Sequence, residues 1–328
     1  MSLTSRLDGF QQRHHAAGFP LAVIYKFTDD QGGFLAALVA YYGFLSLFPL
    51  LLLLVTVLGF VLGGDPQAQQ QVLTSTLSQF PIIGDQIRQN VGGLHGSGAG
   101  LVVGILGSLY GGIGVAQAAQ NAMNVLWSVP RNSRPNPVKG RLRSLVAVLV
   151  LGSGFVLTTV LSGLFAGGGA FGAELGHAAR AVAIVVAVLG NAWLFVLAFR
   201  YLPAHRIPVR HVVPGALTAA VVWQALQAVG TYYVSTSLKH ASQVYGLFGL
   251  VLGLLGWLYL AALLTVLCAE INVVRSRRLW PRALLTPFTD AVDLTRADEQ
   301  TYAATAAAQR NKGFEQIDVT FDKNRPAG

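Results

Sequence analysis

The chain has 328 residues, 53% hydrophobic and only 11% charged, with a formal net charge of +9 and a mean hydropathy of +0.54. Soluble domains carry about 25% charged residues, so this composition excludes an ordinary soluble globule and points to a polytopic membrane protein. The single cysteine, Cys268, excludes an intramolecular disulfide and reads as a packing residue.

Residues 1–30 are polar to amphipathic, and no cleavable leader is expected among them. The stretch 19–27 (FPLAVIYKF) is too short to span and ends in charge, so it reads as a helix lying in the inner interface. Asp29, Asp30 and Gln31 then precede an apolar run, where acidic residues favour a helix N-terminus. Charge-free runs follow at 31–64, 89–130 (with only His95 titratable), 144–173, 181–199, 212–238 and 241–269. Trimmed of loop residues, they predict six spans near 34–62, 101–127, 144–166, 180–201, 212–234 and 245–272. The last run has 29 residues without Asp, Glu, Lys, Arg or His. As a helix it is about 40 Å long, against a bilayer core about 30 Å thick.

Lys and Arg test that count. The inner side carries 15: Arg6, Arg13 and Lys26, then Arg131, Arg134, Lys139, Arg141 and Arg143, then Arg200, Arg206 and Arg210, then Arg275, Arg277, Arg278 and Arg282. The outer side carries 3, Arg88, Arg180 and Lys239. This asymmetry predicts both termini in the cytoplasm. It explains the basic balance by topology and attraction to anionic lipid at the cytoplasmic face, with no nucleic acid partner. The long outer connection, 63–100, places Val72, Leu73, Leu77 and Phe80 at helical spacing before Pro81, which predicts one or two amphipathic helices on the outer interface. The tail, 281–328, has scattered charge and the run YAATAAAQ, and reads as cytoplasmic and largely disordered with at most a short helix. The fold class is therefore all-α: a 1–30 interfacial segment, a 31–280 six-helix membrane domain and the tail.

Two glycine stripes stand out. Gly100, Gly104, Gly107, Gly111 and Gly114 line one face of span 2, and Gly246, Gly249, Gly253 and Gly256 line one face of span 6. Bare faces let backbones approach closely. The favoured pairing is span 2 with span 6; the alternatives are other helices, or a homodimer through the glycine faces. Further along span 2, Gln117, Gln120, Asn121 and Asn124 share one face. With Glu270 and Asn272 of span 6 they are candidates for a polar vestibule open to the cytoplasm, or for hydrogen-bonding glue between helices. Glu270 is the only acid in any predicted span; a proton or cation relay is one reading, and an ion pair with Arg275 or Arg277 at the helix end is favoured. Pro49, inside span 1, is a candidate kink, read as a structural bend.

The seven histidines are scattered and form no HxH or HExxH cluster, and no Walker A loop, dinucleotide fingerprint or GxSxG elbow is present. No catalytic residue, metal site or cofactor is expected. Three stretches together resemble the YihY/BrkB family of bacterial inner-membrane proteins: AALVAYYGFLSLFPLLLLL at 36–54, GGIGVAQAAQNAMNVLWSVP at 111–130, and YGLFGLVLGLLGWLYLAALLTVLCAEIN at 245–272. The resemblance covers roughly 20–275 and implies six helices in the plasma membrane. Gly256, where the family more often has a bulky aliphatic residue, and the tail beyond Arg282 depart from the pattern. Members have carried a ribonuclease label, and others are linked to virulence or envelope lipid export. The chain lacks the acidic or histidine cluster that two-metal nuclease chemistry needs, so ribonuclease activity is not expected. The reading is a transporter or flippase-like protein for an amphiphilic or lipidic solute. The alternative is a non-transporting envelope scaffold or lipid-interacting protein.

Overall fold

The computed structural model describes residues 3–61, 98–166, 177–233, 239–290 and 292–322. Among these, all regular structure is helical. In chain order the helices are α1 (Leu3–Arg13), α2 (His15–Asp29), α3 (Gly32–Val61), α4 (Gly98–Leu126), α5 (Pro137–Ala166), α6 (His177–Tyr201), α7 (Val209–Tyr233), α8 (Lys239–Arg277) and α9 (Arg296–Ala307), with a short 3-10 turn at Arg131–Ser133. The outer connection expected to carry amphipathic helices lies outside the described residues up to Gly98, where α4 begins. The side chain of Pro49 lies outside them too, although α3 runs as one helix through that position.

Local chemistry sets several ends. Pro137 opens α5, where its missing N–H would have had no helical partner. The segments after α2, α4 and α8 turn through Gln31, Ser128 and Arg278, with φ of 54°, 48° and 55°. Each adopts the left-handed conformation that ends a helix and redirects the chain.

Helices α3 to α8 form a closed ring in chain order. Each packs on its sequence neighbour, and α8 closes the circle on α3. The close pairing expected between spans 2 and 6 is therefore corrected: α3 stands between α4 and α8, which meet only marginally. The glycine stripe of α4 is turned toward α3. A Cβ on Gly111 would lie 2.6 Å from the Cα of Ser46, and one on Gly114 would run into the Tyr42 ring. A Cβ on Gly256 would meet nothing within 4 Å among the described residues. Gly100, Gly104, Gly246 and Gly249 lie in helices whose packing at those positions is not described; Gly107 and Gly253 are half-buried.

Among the described residues, α7 over Val209–Gly230 and α8 over Val251–Arg277 are long and apolar enough to cross a membrane. Leu106, Leu149, Leu189, Val221 and Leu252 are exposed on the helices of the ring. An apolar outer surface of this kind suits lipid better than water. The core gathers where α2, α4, α6, α7 and α8 converge, around Val23, Leu126, Phe199, Val212, Val266 and Val273.

The terminal segments differ from expectation. Helix α2 does not simply rest on an interface: it packs on α8 and buries Ala22, Val23, Tyr25 and Lys26. The tail forms a strap as far as Arg310. Thr295 and Asp298 form a capping box that starts α9. Arg282, fully buried, pairs with Asp29 at 2.9 Å and with Asp298. The Leu284 N–H donates to Asp8 Oδ1 at 2.9 Å, and the Tyr25 hydroxyl donates to the Leu284 carbonyl at 2.6 Å. At the far end of α9, the Arg131 N–H donates to the Ala308 carbonyl at 3.1 Å. These bonds tie the tail to α1, α2 and the α4–α5 connection. None has a periodic signature in sequence.

Candidate functional site

The amides of α4 separate onto different partners. Gln120 Nε2 donates to Ser144 Oγ on α5 at 3.2 Å. Asn121 Oδ1 accepts from Arg134 Nη1 at 3.2 Å, and Asn124 Oδ1 accepts from the Ala204 N–H in the α6–α7 connection at 2.7 Å. Gln117 is exposed. Asn272 Oδ1 accepts from the Gly215 N–H on α7 at 2.7 Å, beside Pro214, which interrupts the helical ladder there. Gln120, Asn121, Asn124 and Asn272 each tie their helix to a neighbouring element, as interhelical amides do. They converge on no common cavity.

An apolar cavity lies elsewhere. It holds about 430 Å³ inside the ring and takes residues from all six helices α3 to α8. Its walls are apolar, with Ala116, Leu151, Phe155, Phe195 and Trp223 among them. Phe155 and Trp223 meet edge to face at 6.4 Å between ring centres. Besides the Asn191 amide, two polar side chains in the lining are turned onto their own helices: Ser46 Oγ donates to the Gly43 carbonyl at 2.9 Å and Thr265 Oγ1 to the Ala261 carbonyl at 2.8 Å. The chamber therefore presents mainly hydrocarbon.

A second cavity of about 590 Å³ adjoins it, sharing Ala147, Leu151 and Leu202. Its polar edge carries Arg143, Tyr201 and Arg206. Arg143 donates to the carbonyls of Tyr201 and Pro203, and to that of Ala204 at 3.2 Å. A cation is favourable there, at the carbonyl end of α6. The guanidinium groups of Arg200 and Arg206 lie 5.4 and 5.5 Å from the centre of the Tyr201 ring. Among the described residues no carboxylate pairs with these three arginines. Apolar chamber and cationic edge together have the two-part chemistry of an amphiphile.

A third polar group sits under α8. Glu270 is fully buried, and neither carboxyl oxygen receives a hydrogen bond from an N–H or hydroxyl group. The favoured ion pair with Arg275 or Arg277 is not formed. Arg277 instead donates to the Trp127 carbonyl and lies over the Trp127 ring at 5.9 Å, drawn by the carbonyl end of α4. The charges acting on Glu270 are those of Lys26, Asp30, Asp29 and Arg277. Lys26 and Asp30 form a buried ion pair, and the Lys26 ammonium also reaches the Leu126 carbonyl at 3.4 Å. Lys26 and Arg277 line a cavity of about 280 Å³ with Ser128, Gln300 and Thr301.

Sequence reasoning missed Lys26, Arg143, Arg282 and Gly215. Lys26 had a local signal: an isolated cation in an apolar helix, with an acid four residues on, is a pair waiting to be buried. Arg282 had none, because its carboxylates lie 253 and 16 residues away.

Residues 23–287 match the family described as Virulence factor BrkB. The chain is 25% identical to inner membrane protein YhjD of Escherichia coli K12, over 74% of this chain and 77% of that protein. It is 26% identical to the ribonuclease-like protein YfkH of Bacillus subtilis, over 77% of this chain and 93% of that one. To a UPF0761 membrane protein of Azotobacter vinelandii it is 26% identical, over 87% and 70% of the respective chains. No solved structure matches it. The match takes in the whole ring of helices, from α3 to α8: this chain is an integral membrane protein belonging to the BrkB family.

Proposed function

We propose that this protein is a six-span protein of the bacterial inner membrane, with both termini in the cytoplasm, that moves an amphiphilic or lipidic solute and is not an enzyme. The relatives' names support the location. The distribution of 15 cationic residues against 3 supports the orientation. The observation that carries the transport reading is the 430 Å³ apolar chamber ringed by six helices and joined to an arginine-edged cavity. Its volume falls in the usual range for small-molecule sites. Apolar walls favour an acyl chain over water, and uncompensated arginines favour an anionic head. Gln120, Asn121 and Asn124 of α4, each held by a partner, serve as the frame of this chamber rather than as its lining.

The test uses purified protein in liposomes with a trace of fluorescent phosphatidylglycerol. Dithionite added outside reports the rate at which inner-leaflet probe becomes accessible. Gly152 lines the chamber, and a Cβ there would meet nothing within 4 Å. Gly152→Trp therefore fills the space without a clash at its first atom. The expected result is protein-dependent exchange that Gly152→Trp slows about ten-fold, equivalent to about 1.4 kcal/mol on the barrier. Exchange equal to that of protein-free liposomes overturns the reading and leaves the envelope scaffold in its place.

A further inference from the structure

We propose that Glu270 is an exchangeable proton-binding site, served from the cavity beneath α8 through the Lys26–Asp30 pair. The geometry carries this. Glu270 is completely enclosed, neither of its oxygens receives a hydrogen bond from an N–H or hydroxyl group, and the polar group beside it is the Asp30 carboxyl. A buried carboxylate held without donors is costly, and a helix end meant only to be anchored would have used Arg277. The neighbouring Asp30 is itself buried, and Lys26 is already committed to it. Lys26 is held by Asp30 and Arg277 by the Trp127 carbonyl, so neither nearby cation hydrogen-bonds Glu270, and a proton on its carboxyl removes the cost of an enclosed, unsolvated charge.

The surroundings are otherwise bare of charge. Around Glu270, α2 and the turn after it supply Lys26, Asp29 and Asp30, and α8 itself supplies Arg277. Helices α3 and α4 contain no charged residue. Helix α7 begins with Arg210 and His211, and neither is among the charges acting on Glu270. Burial pushes the Asp30 carboxyl above its ordinary range, and Lys26 offsets part of that push. Asp30 stands near enough to Glu270 for the two to interact through a shared proton.

A route is also present. The 280 Å³ cavity has Lys26 in its wall, and Gln300 at its edge is exposed. A proton entering there meets the Lys26–Asp30 pair before Glu270. Gain or loss of that proton changes the charge where α2 packs on α8. Use of the proton to drive solute movement rests on the transport reading; the site does not.

The test is chemical and needs no substrate. Dicyclohexylcarbodiimide is apolar and adds to protonated carboxyl groups in apolar surroundings. Peptide mass mapping of the intact protein in nanodiscs should find one adduct, on Glu270, that falls away as pH is raised. Glu270→Gln should abolish it, and Lys26→Met should carry labelling to higher pH. Infrared difference spectra over the same titration supply a second readout: the carbonyl stretch of a protonated carboxylic acid, lost in Glu270→Gln. Labelling confined to Asp30, labelling indifferent to pH, or a protonated-carboxyl band unchanged in Glu270→Gln each overturns the proposal. Neither readout depends on lipid exchange, so failure of the transport reading and failure of this site are told apart.

Discussion

At Gly215 the backbones of α7 and α8 come closer than any side chain would allow. A Cβ there would lie 2.5 Å from Asn272 Nδ2 and closer still to the Cys268 carbonyl oxygen. A backbone oxygen cannot swing aside as a side chain can, so Gly215→Ala must separate the two helices and weaken the Gly215–Asn272 bond. The expected loss is about 1–3 kcal/mol, read as a lower Tm in detergent. Gly256→Ala supplies the contrast. Its new methyl meets open space, and replacing a helical glycine by alanine gains up to about 1 kcal/mol. Equal melting of the two variants would contradict this account of which glycine packs. The sequence singled out Gly256 by its spacing and passed over Gly215, because spacing marks a face and not what that face meets.

The strap formed by 279–310 depends on a few long-range polar contacts on an otherwise short helix. Asp298 is fully buried; it accepts from Arg282, from the Ala283 N–H at 3.0 Å and from the Thr295 N–H at 2.9 Å. Removing the cation leaves that carboxylate buried without its ion partner, which costs about 3–5 kcal/mol in comparable sites. Arg282→Ala is therefore expected to open α9 locally, seen as faster amide hydrogen exchange over Arg296–Ala307 with the ring helices unchanged. Arg282→Met combined with Asp298→Leu removes both charges and should recover part of the protection. Uniform exchange across all helices would show instead that the strap and the ring unfold together.

For the whole molecule, the ring closes because α8 returns to α3, leaving a chamber that no pair of helices could enclose. The proposed orientation puts Gln12 and Lys312, both exposed, on the cytoplasmic side. Single cysteines at these positions, in a Cys268→Ala background, should react with an impermeant thiol reagent in inverted vesicles and not in right-side-out ones. Reaction from the outer side would overturn the orientation. In the parent protein Cys268 itself should stay unreactive, since it is only 3% exposed.

Helix positions were legible from the chain alone: 34–62 beside Gly32–Val61, 101–127 beside Gly98–Leu126, 180–201 beside His177–Tyr201. A long charge-free run needs no partner to announce a helix, because apolarity and backbone hydrogen bonding act within the run. The last helix extends to Arg277, beyond the expected 272, since arginines in a final turn complement its carbonyl end. Membership of a membrane-protein family was likewise present in local motifs. What only the tertiary structure decided is who meets whom: Gly111 against Ser46, Asn124 on Ala204, Arg277 with Trp127, Arg282 between Asp29 and Asp298, and Glu270 beside Asp30. Each joins residues distant in the chain, and a helix's own periodicity carries no information about the neighbour that the closing of the ring will bring to its face.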